Sequence, residues 1–222
     1  MKTKRISQAL LASAILLTSR ILAGALLMAA TSAAQAAIVS FGSRAAFDAA
    51  YPGSVLEDWD GFSAGTTFTN GTGANGITYN SSTGNALVTS TFLVSSSPNG
   101  LGRTGVGFFL GTDSITFTFD SATAAFGIDI NTFATAAGAY SATTDLGDIA
   151  LSAFDPFPAS STGQFVGFTS DTPFSSVTIA SPGNVVYTLD TLRAVEVPEP
   201  GSLALLGLGL AVLGARSRRR SV

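Results

Sequence analysis

In the stretch SITFTFD, Ser114 to Asp120, hydrophobic and polar residues alternate without a break: Ile115, Phe117 and Phe119 point to one side and Thr116, Thr118 and Asp120 to the other. A period of two marks a half-buried β-strand. AAFGIDIN, Ala124 to Asn131, repeats the pattern with Phe126, Ile128 and Ile130. The residues between them, Asp120 to Thr123, are short and polar, so the two strands read as a hairpin. Eight further strand candidates follow the same logic: Val55–Trp59, Gly76–Tyr79, Ala86–Val94, Val106–Leu110, Asp148–Phe154, Gln164–Phe168, Ser176–Ala180 and Val185–Leu192. Turn formers fill the intervals, as in TNGTGANG, SSSPNGLG and ASPGN. One helix is predicted: Ser43 can cap Arg44–Ala50, and Tyr51-Pro52-Gly53 stops it.

Short strands separated by turn signals predict an all-β fold, an antiparallel β-sandwich of the jelly-roll kind with one short N-terminal helix. No repeat of fixed period and no interdomain linker interrupts it, although Thr135 to Gly147 reads as a long flexible connection. The 222 residues suit one domain plus processing segments.

Charge is distributed very unevenly. Four of the eleven basic residues lie in the first twenty positions and four more in the last seven, leaving Arg44, Arg103 and Arg193 between. Residues 37–197 set thirteen carboxylates against these three, a net charge of about −10. A body this acidic repels phosphate backbones, which argues against nucleic-acid binding. Cysteine and histidine are absent and lysine occurs only at positions 2 and 4. These absences remove disulfides, Ser-His and Cys-His catalysis, imidazole-bound zinc, Schiff bases and Ser-Lys pairs. Carboxylate chemistry and oxygen ligation of a hard cation survive.

The densest acidic run is Glu57-Asp58-Trp59-Asp60. In a strand, Glu57 and Trp59 would share one face and Asp58 and Asp60 the other. Asp58 or Asp60, with Asp190 of the last strand, could hold a structural calcium ion, since first and last strands often adjoin in a jelly roll. The competing reading makes them turn caps and solvated charges. Glu57 with an aspartate could also serve a glycosidase, given two carboxyls about 5–10 Å apart across a cleft. No residue is singled out as catalytic, and no cofactor other than that calcium is expected. For sugar stacking the two leading aromatic candidates are Trp59 and Tyr79, ahead of Tyr51, Tyr140 and Tyr187; the competing reading makes each a core or half-buried strand residue, and strand phenylalanines are assigned to the core.

Both ends carry processing signals. Lys2, Lys4 and Arg5 precede an apolar stretch interrupted by Arg20, and Ala34-Gln35-Ala36 gives an A-x-A cleavage pattern. Residues 1–36 therefore read as a secretory signal peptide cut between Ala36 and Ala37, which implies Sec export. At the other end stand Val197-Pro198-Glu199-Pro200, the uncharged span 201–215 and the arginines 216, 218, 219 and 220. As a helix the span reaches about 22 Å, short of a hydrocarbon core of about 30 Å. The basic tail orients it with the body outside the cytoplasm.

In that order these parts resemble the PEP-CTERM sorting signal of Gram-negative bacteria, thought to be processed by the membrane protease exosortase. The resemblance covers residues 197–222 and leaves residues 37–196 as the passenger. It implies an exosortase-type protease as partner, transient inner-membrane insertion of the transmembrane sorting helix, and release to the outer surface or extracellular matrix of an organism that makes exopolysaccharide or biofilm. The run from FDAAYPGSVLEDWDGFSAG through GITY to FVGFTSDTPFSSVTIASPGNVVYTLDTLRAV resembles lectin-like jelly-roll passengers of other such proteins. The expectation is a non-enzymatic surface or matrix protein, associated with or binding exopolysaccharide. A carboxylate-dependent glycan-active enzyme and a purely structural surface protein are the alternatives.

Overall fold

The computed structural model describes residues 37–197. The signal-peptide residues through Ala36, with Ala34, and the sorting segment from Pro198 onward, including Glu199 and Pro200, lie outside the described residues. Among the described residues thirteen strands and one helix are formed: β1 (Ile38–Phe41), α1 (Arg44–Ala50), β2 (Val55–Glu57), β3 (Thr67–Phe68), β4 (Thr72–Ala74), β5 (Ile77–Ser81), β6 (Ala86–Thr89), β7 (Gly100–Arg103), β8 (Ser114–Thr132), β9 (Ser141–Thr144), β10 (Ile149–Leu151), β11 (Ala153–Phe154), β12 (Gln164–Ala180) and β13 (Tyr187–Glu196). All pairings are antiparallel, and the strands join in one 13-stranded hydrogen-bonded network. The all-β expectation therefore stands.

Its spine is the pairing of β8 with β12, which runs from Ser114 against Ala180 to Ile130 against Gln164. The predicted 114–120 and 124–131 strands are not a hairpin but two halves of β8, and both halves pair with β12 instead of with each other. The predicted 164–168 and 176–180 strands are likewise the two halves of β12. Midway the register shifts twice. The step from Thr118 to Thr123 in β8 is matched only by Ser176 to Phe174 in β12, and the step from Phe174 to Thr169 only by Thr123 to Ala125. Such opposed bulges bend a ladder sharply.

Ring distances measure the bend. Phe117 and Phe126 would stand about 30 Å apart on a straight strand, yet their centroids are 6.4 Å apart. Phe168 and Phe174 of β12 approach to 5.4 Å. One ladder thus folds over and faces itself, as strands do when they pass between two layers. Phe117, Ile115, Val177 and Ile179 from one half meet Phe126, Ile128, Ile130, Val166 and Phe168 from the other in a common core. β5 and β9 extend the first half, while β13, β1 and β11 flank the second.

The helix forms as predicted, Ser43 Oγ accepting from the Ala46 N–H at 3.2 Å. It closes the outer face of the second half, where Phe47 packs edge-on against Phe165 at 5.8 Å beside Ala125. Burial consequently alternates along Ser114–Phe119 but is continuous along Ala125–Thr132.

Several expectations shift. Val106–Leu110 is no strand and joins the network only through the Phe109–Tyr187 bridge, whereas Gly100–Arg103 is one. The expected flexible connection contains β9. GTGANG forms the β4–β5 hairpin: Asn75 and Gly76 both have positive φ (54° and 79°), as a two-residue type I′ turn requires.

Truncating a ring at the fold-over leaves a cavity that neither half can close. Phe126→Ala is expected to lower the unfolding free energy by about 3–5 kcal/mol, whereas Val39→Ala, on the exposed face of β1, should change it by no more than about 0.5 kcal/mol. Urea unfolding followed by tyrosine and tryptophan fluorescence checks both.

Candidate functional site

The acidic run leaves the sheet earlier than the alternation suggests. β2 ends at Glu57, Leu192 of β13 pairs with it, and the chain then turns with Trp59 at φ 60°. A bulky residue rarely occupies that left-handed region, and hydrogen bonds hold it there. Glu57 Oε1 accepts from the Trp59 N–H at 2.7 Å, and Asn99 Nδ2 donates to the Trp59 carbonyl at 3.3 Å. Glu57 Oε2 accepts from Asn75 Nδ2 at 2.6 Å. Glu57, Asp58, Phe62 and Asn75 line an open cleft of about 500 Å³ on this side.

The two aromatic candidates for sugar stacking are unavailable to it. Trp59 and Tyr79 are fully buried, joined by a 3.1 Å hydrogen bond from Trp59 Nε1 to the Tyr79 hydroxyl, and Tyr79 stacks on Phe68 at 4.4 Å. Both take the competing reading as core residues, Tyr79 on the buried face of β5 and Trp59 at the left-handed turn after β2. The calcium grouping does not assemble either. Asp58 accepts from the Asp60 N–H, Asp60 accepts from the Asn99 N–H at 2.8 Å, and Asp190 accepts from the Ser96 N–H, three residues earlier in the loop that carries Asn99. Among the described residues no three carboxylates are placed to hold a metal ion.

Asp190 belongs to a buried polar layer that includes Asp129, a residue the alternation pattern assigns to the outward face of its strand. The two aspartates sit directly opposite each other on β13 and β8. Like charges so placed repel, and two devices relieve the repulsion. Asp129 Oδ1 accepts from Arg44 Nε at 2.7 Å and from Arg193 Nη1 at 3.2 Å. Arg193 also donates to Asp48 Oδ1 at 2.6 Å, and its guanidinium lies over the Phe165 ring at 5.5 Å. Arg44 and Asp48 both come from α1, so the helix is clamped through the ion pairs it supplies.

The second device is the loop after β6. Ser95 Oγ lies 2.5 Å from Asp129 Oδ2 and 3.2 Å from Asp190 Oδ2. Asp190 further accepts from the Ser96 N–H at 2.7 Å, the Ser96 hydroxyl at 3.0 Å and the Thr191 N–H at 2.6 Å. A serine hydroxyl carries one hydrogen. With that hydrogen given to Asp129, the contact to Asp190 is favourable when Asp190 itself carries a proton. Burial pushes the Asp190 carboxyl up to about 7, against the Ser96 and Thr191 hydrogen bonds and with help from the neighbouring Asp129 charge. Burial raises Asp129 too, and the Arg193 and Arg44 guanidiniums pull it back toward the ionised form. Both aspartates are at most 3% exposed, so this layer is a structural tie and not a cleft open to a glycan.

A carboxyl whose folded value lies above its unfolded value near 3.9 stabilises the fold fully below that lower value and loses its contribution as pH rises through the upper one. Unfolding free energy is therefore expected to fall as pH is raised from about 4 to about 8, and Asp190→Asn to flatten that slope. Urea unfolding at stepped pH measures it, and an undiminished slope in Asp190→Asn would remove Asp190 as its source.

Val197, the last described residue, is hydrogen-bonded through its N–H to the Ala122 carbonyl at 2.8 Å, at the bend of β8. Ala37 meets the same end of the body, its nitrogen donating to Asp171 Oδ1 at 2.9 Å. Among the described residues no helix is long and apolar enough to cross a membrane. No curated protein and no solved structure matches the chain. Residues 196–220 match the PEP-CTERM protein-sorting motif. That motif marks an exported, surface-associated protein sorted by exosortase, a membrane protein.

Proposed function

We propose that the protein is a non-enzymatic component of the cell surface or extracellular matrix, exported by the Sec route, released by exosortase-type processing, and associated with exopolysaccharide or biofilm through a lectin-like, jelly-roll-related body. The observation that carries this reading is the sorting motif at residues 196–220. Other features support it. The A-x-A pattern ends at Ala36, and cleavage there would turn the Ala37 nitrogen into an ammonium group 2.9 Å from the Asp171 carboxylate. The body needs no disulfide and contains no cysteine to oxidise outside the cell. Two of its buried carboxylates, Asp129 and Asp190, are committed to arginine and serine partners, which favours a binding or structural role over hydrolysis.

Processing gives the direct test. Mass spectrometry of the protein recovered from the cell surface or medium is expected to show a chain that begins at Ala37 and lacks the Arg216–Val222 peptide. An intact tail on the exported protein would replace sorting with permanent anchoring.

A further inference from the structure

We propose that a groove beside Phe92, Phe108 and Phe133 is the binding site for an uncharged polysaccharide, an assignment that rests on the matrix-associated reading above and names the ligand class and the place. The groove has a volume of about 410 Å³. Ser90 and Thr91 supply exposed hydroxyls to its walls, Gly65, Gly105 and Gly107 line it with backbone that carries no side chain, and no ionisable side chain lines it. At Gly107 the groove meets the aromatic cluster: a Cβ placed there would lie 3.0 Å from Phe92 Cε2 and 3.4 Å from Thr89 Oγ1. The φ of 79° at Gly107 independently restricts the position to glycine.

The three rings form a cluster of their own, apart from the core. Phe92 meets Phe108 at 5.2 Å and Phe133 at 5.4 Å, both edge to face. Phe133 is 43% exposed, and Leu93 and Val106 beside the cluster are exposed as well. Phe92 adjoins the groove and Phe133 continues the aromatic surface from it into solvent, and aromatic carbon beside neutral hydroxyls matches a pyranose, which presents a C–H face and a rim of hydroxyls. Sites for small polar ligands combine apolar walls with a few such fixed polar groups.

Charge selects among sugars. Residues 37–197 contain no lysine, and their three arginines are all paired: Arg44 with Asp129 and Asp155, Arg103 with Asp113 and Arg193 with Asp48 and Asp129. Among the described residues no cation is left to recognise a uronate, sulfate or phosphate, and a body of about −10 repels an anionic polymer. Position favours access. Val197 and Ala37 are held at the bend of the long ladder, whereas Phe133 follows the far end of β8, about 30 Å along the strand. The groove is therefore remote from the end to which the processing segments attach.

Native gel electrophoresis of the exported protein through gels containing a polysaccharide tests the site. The neutral probes are dextran, hydroxyethyl cellulose and galactomannan, and the anionic ones alginate and hyaluronate. At least one neutral polymer is expected to slow the protein, and neither anionic one. Phe133→Ala should weaken the retardation about fivefold or more at unchanged melting temperature, Phe133→Tyr should preserve it, and Ser90→Glu, at an exposed wall position, should abolish it. Retardation by anionic polymers alone would overturn the ligand class. Equal neutral retardation of wild type, Phe133→Ala and Ser90→Glu would overturn the site and leave polysaccharide association standing. No retardation of the wild type by any of the five polymers would overturn both.

Discussion

The long β8–β12 ladder, bent at its opposed bulges, is the constraint on which the other features depend. Because both strands bend at the same place, a single set of backbone hydrogen bonds serves two layers, and the side chains of one half become the packing partners of the other. The rings of Phe117, Phe119 and Phe126 meet across the fold-over, so hydrophobic burial and backbone pairing favour the same geometry. A β-protein of this size without disulfides needs that agreement, since an unpaired bend in the core would leave backbone groups without partners.

The bend also determines where polarity can be buried. Along the second half of β8 one face meets the core and the other meets α1 and the loop after β6, so Asp129 has no solvent to turn toward. Its charge is met by Arg44 and Arg193, and the opposing Asp190 by the serines of the loop. Buried ion pairs of this kind are costly to desolvate, so their presence is weak evidence for net stability, while removal of one partner strands a buried charge. Here they fix the helix and the loop to one place on the sheet. The loop so fixed continues from Phe92 and leads into Asn99, which holds the Trp59 turn, and the polar layer thereby connects the groove to the acidic run.

The same pairings empty the surface of usable cations. Each arginine of the body is committed to a carboxylate, and the surviving recognition chemistry is hydroxyl, amide, carboxyl and aromatic carbon. The proposed contact with neutral polymers draws on that repertoire, and in the described body Ala37 and Val197 lie at one end.

Legibility in the sequence followed local physics. The helix at Arg44–Ala50, the alternation in Ser114–Phe119 and the sorting segment could be read because caps, period-two patterns and an ordered motif act through near neighbours. The Asn-Gly pair at 75 and 76, within the turn-forming TNGTGANG, carries a two-residue hairpin signal of the same local kind. What could not be read depended on partners far along the chain. Asp120 to Thr123 has the composition of a hairpin turn, but competition from β12, some fifty residues away, made it a bulge in a continuous strand. For Trp59 and Tyr79 the sequence leaves stacking surface and core both open, and a left-handed turn brings them together in the core, while Phe133 ends at the surface just past its strand. Sequence by itself determined strand character, charge balance and cellular address, because these arise from composition and short-range order. Tertiary structure alone decided which aromatics and which carboxylates face solvent, because that depends on which distant strands win the pairing.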